Sequence, residues 1–137
     1  MRNGGTEWRE IKSQMDIGMS EARKAIITFL YTEKIKSSLI IASSLIEHVK
    51  GLNDAERAGA EKILYAYFDA LTLEVNMAAN AAQLDGFRIV TSKIRELVEH
   101  VKKRNYEGAV RLVSEAISAA TTQGNQSAQM LNEMGLL

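Results

Sequence analysis

The chain has 137 residues, which fits one domain and is long enough to bury a core without disulfide or metal staples. With 46% hydrophobic and 25% charged residues it falls outside the disordered class and inside the ordinary range for a soluble globular protein. Its 17 basic and 17 acidic residues cancel, so no net field draws it to nucleic acid or an anionic membrane, and the lack of cysteine excludes disulfides, thiol nucleophiles and cysteine-based zinc sites.

Proline is absent where average usage of about 5% would give roughly seven, so nothing forbids long helices. Alanine, leucine, glutamate, lysine and isoleucine dominate, which predicts an all-α fold. The longest apolar region, residues 25–46, is interrupted by Glu33, Lys34 and Lys36 and falls short of a membrane span. Gly4, Gly5, Glu7 and Glu10 stand where an export signal needs an apolar core. A cytoplasmic protein is expected, with no cofactor, no metal and no membrane or nucleic-acid partner.

In chain order, residues 1–5 are expected to fray, and Thr6 reads as an N-cap. Trp8, Ile11, Met15 and Met19 recur at three- and four-residue spacing on one helical face. Gly18 offers a break, but the register runs through it to Ala22 and Ile26, leaving either a short leading helix or one helix continuous to Lys50. Trp8 is read first as capping its own chain's core, and otherwise as an anchor for a second subunit. From Ser20, Ile27, Tyr31, Ile35, Leu39, Ala42, Ile46 and Val49 form a stripe, with Leu30 and Leu45 expected to widen it. Ser37, Ser38, Ser43 and Ser44 have no histidine or aspartate placed to make a triad and read as close-packing residues.

Gly51 follows Lys50 at a predicted helix end, and Asn53 with Glu56 three residues on marks the next start. Ile63, Leu64, Tyr67, Phe68, Leu71, Val75, Ala78, Ala79 and Ala82 continue at helical period. Asp69, Glu74 and Asn76 lack the neighbouring ligands a metal needs. Asp85-Gly86 is a turn signal, giving a helix over residues 87–103; without a turn, one helix of roughly fifty residues, about 75 Å at 1.5 Å each, would demand a dimer to cover it. Tyr106 opens the last helix, with Ala109, Leu112, Val113, Ala116, Ile117 and Ala120 on one face. Gly124 is expected to fray or bend it, after which Met130, Leu131, Met134 and Leu137 resume an apolar face.

Leu45-Ile46-Glu47-His48-Val49-Lys50 and Leu97-Val98-Glu99-His100-Val101-Lys102 match closely, with Asn53 and Asn105 following at equal distance. Dropping three residues keeps the downstream parts in phase, with Ile63 on Leu112 and Phe68 on Ile117. The match predicts two helical hairpins, residues 20–84 and 87–134, forming an antiparallel four-helix bundle with residues 1–19 as an extra helix or extension of a single helical domain. The only two histidines sit in these copies, and each glutamate precedes its histidine directly, about 100° away around a helix, unlike the Glu-x-x-His of di-iron bundles. A last-turn histidine also complements the helix dipole.

Arg95 and His100 are separated by four residues. This spacing is similar to the R-x4-6-H motif of the HEPN ribonuclease and antitoxin-partner family, small α-helical bundles that often dimerise. The resemblance covers those two residues and the fold class, and it implies a metal-independent ribonuclease or toxin–antitoxin component with Arg95 and His100 as catalytic residues. Glu96 follows the arginine where that family often has a polar residue, and the first copy has Ser43 in place of Arg95.

Between residues 88 and 111 basic side chains outnumber acidic ones seven to three, while residues 47–74 are acidic by six to three. Such opposite charges favour complementarity between the hairpins or between subunits. The leading expectation is a helical-bundle interaction or scaffolding module, a homodimer with Trp8, Ile11, Met15, Met130, Leu131 and Met134 as interface residues.

Overall fold

The computed structural model describes residues 4–137, which form four helices: α1 (Gly4–Lys50), α2 (Asp54–Ala82), α3 (Gly86–Lys102) and α4 (Tyr106–Glu133). There is no strand among the described residues. α1 packs on α2 and α4, and α3 packs on α2 and α4, so the four helices close into an all-α bundle around one core. That core is built from Ile35, Leu39 and Ile46 of α1, Phe68 and Val75 of α2, Phe87, Val90, Ile94, Leu97 and Val101 of α3, and Leu112 and Val113 of α4.

Both asparagines of the matched segments cap helices. Asn53 Oδ1 accepts the Glu56 amide hydrogen at 2.9 Å and Asn105 Oδ1 accepts that of Gly108 at 3.1 Å, satisfying donors that a helix start leaves unpaired. The turns before them differ. Arg104 adopts a left-handed conformation, φ 56°, whereas no residue of the Gly51 turn has positive φ. The matched segments share a buried valine, Val49 and Val101, but the burial beside it shifts by one position: Ile46 with Leu45 exposed in the first, Leu97 with Val98 half-buried in the second. Downstream, Ile63 is 74% exposed while its counterpart Leu112 is buried.

The chain does turn before α3. Gln83 ends α2 in a left-handed conformation, φ 53°, and α3 starts at Gly86, where a Cβ would collide with the Gln123 side chain of α4. Gly124 does not bend α4. It lets the helix approach α1, because a Cβ there would collide with the Thr32 methyl group.

At the amino terminus α1 is the continuous one of the two alternatives, a single helix through Gly18 to Lys50. Other expectations there are corrected: Thr6 lies inside the helix rather than capping it, and Gly4 and Gly5 are helical; the fraying expected of residues 1–3 lies outside the described residues. Trp8 does not cap its own core, being 63% exposed. Leu30 and Leu45 do not widen the buried stripe of α1, and Ile63 does not join that of α2; all three are exposed.

Candidate docking surface

Arg95 and His100 both lie on α3, but five residues apart they leave the helix about 140° from each other. Arg95 is exposed on the rim of an α2–α3 groove floored by Phe68, Ile94 and Val98 and edged by Asp69 and Glu99. His100 turns toward α4, where its Nδ1 accepts a hydrogen bond from the Asn105 side-chain amide at 2.9 Å. Arg95 lines that groove and His100 does not. The Nδ1 of His48, its counterpart in the first copy, lies 2.7 Å from the Ser44 carbonyl of its own helix, so the twin histidines engage different partners. Among the described residues, no group of three or more His, Asp or Glu side chains is placed to hold a metal ion.

The densest polar cluster lies where the two hairpin turns meet. Tyr106 donates to Glu61 at 2.6 Å, Arg104 reaches Asp54 and Glu61 at 3.7 Å each, and the Arg57 guanidinium stands 5.9 Å over the Tyr106 ring. Arg57 also donates to the Leu52 carbonyl at 2.7 Å, fastening the first turn. Burial, reinforced by the bond to the Glu61 carboxylate, pushes the Tyr106 phenol up to about 12. The charge asymmetry between segments 47–74 and 88–111 is therefore spent partly inside the chain, where Arg104 of one hairpin meets Asp54 and Glu61 of the other. Sequence spacing gave no sign of this cluster, because its members are brought together only when the hairpins dock. Its groups close a joint in the bundle, although the buried Arg57 Nε finds no hydrogen-bond acceptor.

The largest unsatisfied feature is apolar. At about 100° per residue, Thr28, Thr32, Ile35, Leu39, Ala42 and Ile46 leave α1 toward the core, while Trp8, Met15, Met19, Ile26 and Leu30 leave it on the opposite side. Residues 5–20 are all exposed, including Ile11, with Met15 at 58% and Met19 at 64%. α1 thus carries apolar residues on two faces, of which the bundle covers one. α2 adds a second exposed row, Ile63, Ala66, Ala70, Leu73 and Met77. The two rows run side by side: Lys34 pairs with Glu74 at 3.2 Å across the α1–α2 seam, with Leu30 one turn from the lysine and Met77 one turn from the glutamate.

Of the carboxy-terminal candidates, Leu131 is buried in the chain's own core, Met130 is half-buried beside Ser127, Lys24 and Thr28, and Met134 is exposed. No helix among the described residues is long and apolar enough to cross a membrane. Comparison with known protein families, with curated proteins and with solved structures gives no match to the chain.

Proposed function

We propose that the chain is a helical-bundle interaction and scaffolding module that acts as a homodimer, with the amino-terminal half of α1 as its docking surface. The observation that carries this reading is the exposed stripe Trp8, Ile11, Met15 and Met19 on a helical arm with no bundle behind it. An unsupported helix of this length is marginal in water, and Gly5 and Gly18 each weaken it by about 1 kcal/mol relative to alanine. A partner that buries the stripe supplies the missing packing. A cytoplasmic setting suits a chain without cysteine, which draws nothing from an oxidising compartment. The reading is tested by light scattering on the full chain and on a Met15→Glu, Met19→Glu double variant. The parent is expected to self-associate and the variant to stay monomeric, still helical and melting cooperatively like the parent diluted below its dissociation constant. A variant that associates like its parent would move the docking surface off α1.

A further inference from the structure

We infer that two copies pair through α1 in antiparallel register, crossing at Met19, so that each copy's amino-terminal arm lies along the outer α1 face of the other's bundle. This rests on the self-association proposed above and specifies its partner and geometry.

The first ground is spacing. Trp8, Ile11, Met15, Met19, Ala22, Ile26 and Leu30 follow one another at intervals of three, four and four residues, repeated. That is about 3.67 residues per turn, close enough to the helical period for the stripe to run nearly parallel to the axis. It therefore remains on one face for about 33 Å at 1.5 Å per residue.

The second ground is that the stripe reads nearly the same from both ends about Met19. In the antiparallel register Trp8 meets the partner's Leu30, Ile11 the partner's Ile26, Met15 the partner's Ala22, and Met19 the partner's Met19. Trp8 and Met15 are set against the smaller Leu30 and Ala22, isoleucine against isoleucine and methionine against methionine, and every position is apolar. Sliding the pair by one further eleven-residue repeat would set Met15 against the partner's Glu33 and Lys34. A parallel pair would set Trp8 beside Trp8 and Ala22 beside Ala22, bulk against bulk and gap against gap.

Charge supports the same register. Asp16 and Arg23, both exposed, flank the same edge of the stripe, and the antiparallel crossing brings Asp16 beside the partner's Arg23 twice by symmetry.

Area provides the last ground. The chain exposes 8740 Å². A closed monomer of its 15.2 kDa exposes about 7100 Å², leaving an excess of about 1600 Å². A standard dimer interface buries about 800 Å² per partner, so the surplus exceeds what a stable pair needs.

The native chain has no cysteine, so engineered thiols report pairing directly. Full-length Met19→Cys, Trp8→Cys and a Trp8→Cys, Leu30→Cys double variant are treated with a short bis-maleimide, alongside sedimentation of the parent. The expected result is a dimeric parent, covalent dimers from Met19→Cys and from the double variant, and none from Trp8→Cys alone, whose two thiols would lie about 33 Å apart. A dimeric parent whose Trp8→Cys cross-links to itself, or whose Met19→Cys does not, overturns the register and leaves self-association standing. A parent that is monomeric overturns both. Asp16→Lys and Arg23→Asp should each weaken dimerisation several-fold, and their combination should restore it; two single changes without effect would remove the paired charges from the interface.

Discussion

Replacing Trp8 by alanine separates the stability of the bundle from that of the assembly. Trp8 is 63% exposed and touches no part of the core, so its removal should leave the dilute monomer's stability within about 0.5 kcal/mol of the parent's. In the dimer the same side chain is covered. Of a tryptophan surface of about 250 Å², the exposed part is about 160 Å², which at about 25 cal/mol per Å² is worth about 4 kcal/mol per copy. Taking about half of that as the cost of truncation, and counting both copies, the dimer loses about 4 kcal/mol, a rise of about a thousandfold in dissociation constant. Sedimentation equilibrium over a dilution series reads the second quantity, and chemical denaturation well below the dissociation constant reads the first. A Trp8→Ala chain that dimerises as tightly as the parent, or whose dilute monomer melts several degrees earlier, would refute the reasoning.

Three further outcomes follow from particular residues. Gly124→Ala should destabilise the fold by about 1–2 kcal/mol, because crowding against the buried Thr32 methyl outweighs the helix-propensity gain, whereas Gly59→Ala, with nothing near its Cβ, should stabilise by about 0.5–1 kcal/mol; thermal melting of both variants checks the contrast. Because the Tyr106 phenol is pushed up to about 12 in the folded state, it stays neutral while the unfolded chain ionises above about 10. Stability from this group is thus complete below pH 10 and is lost as pH rises toward 12, and Tyr106→Phe should flatten that part of the denaturation-versus-pH curve; an unchanged slope would contradict it. Arg95 and His100 diverge around α3, so the parent chain is expected to show no RNA cleavage, and turnover abolished by His100→Ala would instead establish the ribonuclease reading.

Much of the architecture can be read from the chain because local signals agree with one another. Asn53 and Asn105 announce helix starts through their side-chain oxygens, and the Asp85-Gly86 signal does mark a turn, although the left-handed residue that makes it is Gln83. The long helix that a missing turn would have produced at residues 54–103 occurs instead at the amino terminus, where α1 runs 47 residues, about 70 Å. Periodicity carried that helix through Gly18 but could not say which of its apolar rows faces inward. Leu30 and Ile35 both satisfy a helical stripe, and only docking against α2 and α4 decides that Ile35 is core and Leu30 is surface. The same ambiguity put Ile63 in the core. The cluster of Glu61, Arg104, Asp54, Arg57 and Tyr106 lay beyond sequence reading, since its members are up to 52 residues apart and share no spacing rule.

In the proposed dimer a second copy covers the outer face of α1. Sedimentation equilibrium of the full chain across a concentration series should show a reversible approach to twice the chain mass of 15.2 kDa, with the single tryptophan's emission shifting to the blue as the dimer forms. A mass that stays at 15.2 kDa at the highest concentrations, with Trp8 still emitting as a solvent-exposed indole, would contradict it.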